Sequence, residues 1–275
     1  MRRTISASTT VAAATLLAVI TVFLPSLPRL TAPVILSLVV ILFAIAWPAT
    51  VSARPRWGVS AAVAVPGLSA IWIIAVLPLD ARFSGRAMDL WLAPVGGAAA
   101  FGVLLIFVIQ TFSMSAGIRR ALTTAMLSVG AVISAASAGW ALLLRNKYEV
   151  ALGAYGAERI SGVTWLMLTV LAALAVSALV TLLPTRRRNR MMLTIVLATA
   201  VAVALQFVRP GPLSVPAVIA SALTALMVAL LDSLSESREA PSGALNHPLT
   251  AVAVGSTAAI APGILSYFVI HALPW

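Results

Sequence analysis

Cysteine is absent from this 275-residue chain, lysine occurs once and histidine twice. Without cysteine there are no disulfides, no thiolate metal sites and no cysteine nucleophile. Charge is equally scarce: 9% of residues carry it, against about 25% in an ordinary soluble domain. No Asp, Glu, Lys or Arg falls near the middle of an apolar run, so the usual mark of a proton relay or ion pathway is missing. His247 and His271 have no companion at metal-ligand spacing. Motifs for a serine hydrolase, a phosphate-binding glycine loop or a zinc peptidase are not found. From these absences no catalytic residues, no metal and no cofactor are expected.

What is there is hydrocarbon. Residues of the hydrophobic set make up 61% of the chain. Nine runs reach the length that spans a bilayer: 8–25, 30–50, 58–78, 89–113, 120–144, 161–184, 191–208, 213–232 and 248–273. The expected fold is an all-α polytopic membrane protein with about nine transmembrane helices. The seventh and eighth runs are short and parted only by Arg209 to Pro212, so a re-entrant hairpin competes with two full spans. Two arginines before the first run resemble a secretory signal, but LPSLPRL offers no small-residue cleavage site, and the run is read as a retained span.

The net charge of +11 does not imply nucleic acid, because the basic residues sit in short clusters between apolar runs. With the N-terminus in the cytoplasm, the inside segments hold eleven of the eighteen basic residues, so the N-terminus is placed inside and the C-terminus outside a bacterial inner membrane. The densest cluster, Arg186, Arg187, Arg188 and Arg190, is expected to meet anionic lipid. Trp47, Trp57, Trp91, Trp140, Trp165 and Trp275 fall near span ends, as in an interfacial aromatic belt.

Two segments stand out, PGLSAIWIIAVLP (66–78) and PGILSYFVIHALP (262–274). Upstream, TVAAATLLAVITVFL (10–24) matches TIVLATAVAVALQFV (194–208) at six of fifteen positions. These collinear matches read either as chance in an apolar alphabet or as a parallel repeat of helices 1–3 and 7–9. The repeat would divide the chain into a first three-helix unit (1–78), a central unit (79–184) with an outer interfacial loop at 145–160, and a second unit (185–275). In that outer loop Tyr148, Leu152 and Tyr155 share a helical face. The polar stretch 233–247 reads as a linker, and the charges of loop 80–89 read as self-paired.

Proline within a span removes a backbone donor, and glycine lets another backbone approach. Paired interruptions in two halves point to a transporter's binding site; close helix packing is the plainer alternative. Small residues in PVGGAAAFG (94–102) and at Ser128, Gly130, Ser134, Ser137 and Gly139 favour close backbones or a hydroxyl-lined path. The candidate substrate-binding residues are therefore Pro66, Gly67, Pro262, Gly263, Ser134 and Ser137. The leading reading is a permease for a small or lipid-linked solute without a buried proton relay. The alternative is a non-catalytic subunit that scaffolds or assembles a larger membrane complex, docking a membrane-protein partner through a lipid-facing small-residue surface such as 128–139, with a homo-oligomer as the other partner expectation.

Overall fold

A computed structural model of the chain describes residues 2–23, 30–51, 56–76, 87–112, 118–149, 157–208, 213–237 and 248–272. Among them all regular structure is helical: α1 (Arg2–Phe23), α2 (Thr31–Ala46), α3 (Pro48–Val51), α4 (Arg56–Val76), α5 (Ala87–Thr111), α6 (Ile118–Ala136), α7 (Ala138–Glu149), α8 (Ala157–Val180), α9 (Arg187–Val208), α10 (Val215–Ser237) and α11 (Pro248–Ala272). Taking α2 with α3 and α6 with α7 as single interrupted spans, nine spans among the described residues are long and apolar enough to cross a membrane. The chain is a multi-pass membrane protein.

The helices outrun the apolar segments that announce them, because helical hydrogen bonding does not stop where hydropathy does. The arginines at 187–190 join α9, and the polar Ser233 to Ser237 continue α10. Both therefore reach the length of full spans, 22 and 23 residues, or about 33–35 Å at 1.5 Å per residue. They also run antiparallel along their whole length. Arg190 near the start of α9 meets Asp232 near the end of α10, while Gln206 near the end of α9 accepts a hydrogen bond from the Ser214 N–H just before α10. The hairpin is two full spans.

Pieces of several segments singled out from the sequence lie outside the described residues: 80–86 of the charged outer loop, 150–156 of the 145–160 loop, and 238–247 of the polar stretch. Residues 145–149 of the outer loop continue α7.

Helices α4, α5 and α6 pack against one another, and so do α8, α9 and α10. These groups cut across the three segments read from the sequence: α4 joins the central helices α5 and α6, and α8 joins α9 and α10. Helix α11 runs between the groups, against α6 and α7 on one side and α10 on the other, with α1 and α2 also on its flanks. The wiring is the same on both sides. Helix α2 lies against the first helix of its group, α4, and α1 lies against the first helix of the other, α8. Because the first group starts with the third span and the second with the sixth, and successive spans alternate in direction, the groups are inverted relative to each other. Packing does not confirm the parallel correspondence of helices 1–3 with 7–9: α2 lies along α4 as α10 lies along α11, but α9 lies along α10, whereas α1 and α2 have no contact of that extent.

The place of α11 follows from its sequence. It is apolar or small on every side, so no face prefers water or headgroups, and such a helix belongs in the interior. Gly255 admits α1: a Cβ there would lie 2.5 Å from the Ser6 carbonyl oxygen. The Thr10 hydroxyl, 3.1 Å from the Gly255 carbonyl, ties the crossing.

Candidate functional site

Pro66 interrupts α4 by withholding the N–H that the Ala62 carbonyl would otherwise accept. Its neighbour Gly67 is in contact with α6. A Cβ at Gly67 would lie 2.7 Å from the Ser134 carbonyl oxygen and 2.9 Å from Val40 Cγ1, and would collide with Ser134 Oγ. The Pro66 ring in turn occupies the space beside Gly102 of α5, where a Cβ would also come 3.1 Å from that of Ala131. Within PVGGAAAFG, Gly102 makes the close approach. Gly96 and Gly97 meet no other helix among the described residues.

The span that receives Gly67 is itself broken. At Ser137 the backbone tightens: Ser137 N–H donates to the Ser134 carbonyl at 3.1 Å, and Trp140 N–H donates to the Ser137 carbonyl at 3.1 Å. These are bonds to the third preceding residue, the tighter turn that marks a local break in an α-helix. The Ser137 hydroxyl adds a second bond to the same Ser134 carbonyl at 2.6 Å.

Beyond the break, Gly139 and Trp140 of α7 receive the second interruption. A Cβ on Gly139 would lie 2.5 Å from the Gly263 carbonyl carbon and from Ile264 Cα, and one on Gly263 would lie 2.7 Å from Trp140 N. The backbones of α7 and α11 touch here. Trp140, fully buried, donates from Nε1 to the Ala259 carbonyl at 2.9 Å. That carbonyl neighbours Ala258, whose helical partner N–H is absent at Pro262.

Both candidate glycines are thus drawn to one broken span. Gly67 lies against α6 before the break, with Pro66 beside Gly102 of α5; Gly263, which follows Pro262 in α11, lies against α7 after it; Ser134 and Ser137 form the break. The 128–139 face is spent inside the molecule, since Gly130 packs on the Trp47 ring, Ser134 on Gly67 and Gly139 on Gly263. Those small residues are buried within the chain, while Val129 and Val132 of the same segment are exposed.

Most buried hydroxyls in the bundle bond to a carbonyl of their own helix, as Ser37, Ser177, Ser221, Thr224 and Thr257 do. Ser134, Ser214, Thr250 and Ser266 depart from this habit: all are buried, Ser134 and Ser266 fully, and none of these hydroxyls has a partner among the described residues. An unsatisfied buried hydroxyl costs about 1–3 kcal/mol, so a polar guest at any of them would recover that loss. Among the described residues no group of three His, Cys, Asp or Glu side chains comes together.

The charged cluster divides. Arg190 is 1% exposed; its Nε bonds Asp232 Oδ2 at 2.7 Å, and its NH1 donates to the Thr185 carbonyl at 3.1 Å. It is an internal strut between α9 and α10 and is withdrawn from lipid. Arg187 is tied by its Nε to the Ser233 hydroxyl at 3.0 Å. Arg186 and Arg188 are exposed. The sequence signal for the strut was one carboxylate at the end of the eighth run, on the same side as the arginines. Gln206 was missed too: buried, it bonds Thr169 of α8 at 3.2 Å and Ser214 at 3.1 Å. A lone amide in VALQFV was the available clue.

The tryptophans divide likewise. Trp57 is exposed, as a belt residue should be. Trp47 and Trp140 are buried, and each bridges helices through its indole N–H, Trp47 to the Met126 carbonyl at 3.1 Å. Trp165 is half-buried; Trp275 lies outside the described residues, as does the side chain of Trp91. Arg145, placed in the outer loop by sequence, is buried near the end of α7 and donates to the Ile74 carbonyl in the last turn of α4. His271 is half-buried, its Nδ1 2.7 Å from the Tyr267 carbonyl oxygen.

No protein-family model, curated protein or solved structure matches the chain.

Proposed function

We propose that the protein is a bacterial inner-membrane permease in which the two inverted three-helix groups move about α11 to expose a solute path at the broken span. The observation that carries this reading is the wiring: two groups of opposite direction, each with its flanking helix, joined through one central helix. Inverted halves that rock about a fixed site are a common transporter plan, with interrupted helices near that site. Here the interruptions of α4, α6–α7 and α11 all meet at Ser134 to Trp140.

The solute class follows from what lines the break. Its described side chains are serine hydroxyls, glycine and tryptophan, so recognition is by hydrogen bonds to a neutral or zwitterionic solute. No carboxylate there supplies a proton route, and flux proceeds without a pH gradient. The proposed orientation has the N-terminus in the cytoplasm and the C-terminus outside. No bond of the solute is made or broken.

A second reading has its own support. Every close crossing at the break is filled by backbone or ring, which also suits a static subunit of a larger complex. One experiment separates the two. The protein alone in lipid vesicles is exposed to a cell extract, and the trapped solutes are identified by mass spectrometry. A permease enriches at least one solute over protein-free vesicles without a pH gradient, and Ser134→Ala lowers that uptake. No enrichment, together with a stoichiometric protein partner after gentle extraction, rejects the permease.

A further inference from the structure

The outer face of α9 is the least covered of the spans, and along it runs an open apolar trough that includes Ile195, Val196, Thr199, Val203 and Phe207. Arg188, Met192, Ile195, Thr199 and Val203 succeed one another at spacings of three and four, so they form one stripe on the helix. At the head of the stripe stand the exposed Arg188 and, just before the helix, the exposed Arg186. The other two arginines of the cluster are engaged with α10, Arg187 with Ser233 and Arg190 with Asp232. Those two bonds pin the start of α9, and the side chains of Arg186 and Arg188 stay exposed. The Asp232 carboxylate at this end of the hairpin is occupied by Arg190.

We infer that this stripe is a binding site for a single anionic phospholipid, whose phosphate is held by Arg186 and Arg188 and whose acyl chain lies in the α9 trough. Two quantities fit. Val203 stands fifteen residues beyond Arg188, about 22 Å along the axis, and one leaflet with its headgroups is about 20–22 Å deep. The charge fits as well, because two exposed guanidiniums complement one phosphodiester, with fork geometry suited to its two free oxygens. The inference is independent of the permease reading, since no residue of the broken span takes part.

Native mass spectrometry tests it on the full chain, purified in detergent and offered phosphatidylglycerol or phosphatidylcholine of identical acyl chains. Phosphatidylglycerol should remain bound at one per chain and phosphatidylcholine should be retained at least about tenfold less. Arg186→Gln with Arg188→Gln should erase that preference, since each arginine near the surface contributes to the attraction for anionic lipid. Both positions are exposed, and the Lys double variant, which keeps charge, should keep the preference and so controls for folding. Ala200→Trp, filling the trough, should weaken both lipids. Equal retention of the two lipids by the unaltered chain, or an unchanged preference in the Gln variant, overturns the site. If glycerol phosphate alone competes as well as the intact lipid and Ala200→Trp has no effect, the arginines hold a free anion and the lipid assignment is wrong.

Discussion

The two Pro-Gly pairs have the same letters and different surroundings. Gly67 in α4 faces the Ser134 hydroxyl, then the Ser134 carbonyl oxygen, 2.7 Å from a Cβ built there, and beyond these a valine methyl. Gly263 in α11 faces the backbone N of Trp140 and the base of its indole, and reciprocally Gly139 faces the Gly263 carbonyl carbon and Ile264 Cα. Each glycine meets one backbone atom and two side-chain atoms; what stiffens the α11 crossing is that Gly139 meets only backbone there and that the base of a buried indole cannot swing aside as a hydroxyl or a methyl can. A small-residue motif therefore marks a close approach without saying how stiff it is; the partner decides that.

Gly263→Leu should produce the largest effect. A branched side chain forced between α7 and α11 separates the central helix from the broken span, with a loss above about 4 kcal/mol that leaves little folded protein. Size-exclusion profiles and thermal unfolding in detergent check this, and Gly67→Leu, measured beside it, should fall short of that loss. Equal losses would erase the distinction between the two pairs.

That distinction could not be read from the sequence, and the reason is physical. Span number follows from apolar length, a one-dimensional quantity, so the nine runs become nine spans. Which small residue meets which neighbour depends on rotation and register, which hydropathy does not encode. In an apolar helix a tryptophan near a span end has the same composition whether it lies at the headgroups, like Trp57, or donates across the interior, like Trp140. Arg190 was similarly ambiguous: four basic residues in five positions read as a solvated cluster, and only the antiparallel docking of α10 brings Asp232 to one of them. The two Pro-Gly pairs were legible as interruptions and Ser134 and Ser137 as small residues; that Gly67 and Gly263 meet one span, broken at those serines, was not.

A smaller effect sharpens the same comparison on the α11 side. Trp140→Phe keeps the ring against Gly263 but removes the indole donor to the Ala259 carbonyl, and should cost about 1 kcal/mol, within the range of a single net hydrogen bond. Thermal unfolding reads it. If the loss matched that of Gly263→Leu, the hydrogen bond rather than backbone contact would be holding α7 to α11.

The central claim is that Gly67 and Gly263 seat on one broken span, each on its own side of Ser137, and a double-mutant cycle measures this most directly. Gly67→Ala should destabilise by about 1–3 kcal/mol through overpacking. Adding Ser134→Ala, which removes the colliding hydroxyl, should return part of that loss, a coupling of about 0.5–3 kcal/mol. The same Ser134→Ala added to Gly263→Ala should give a plain sum within about 0.5 kcal/mol, because Gly263 meets Trp140 and not Ser134. Additivity in the first pair together with coupling in the second would contradict the arrangement described.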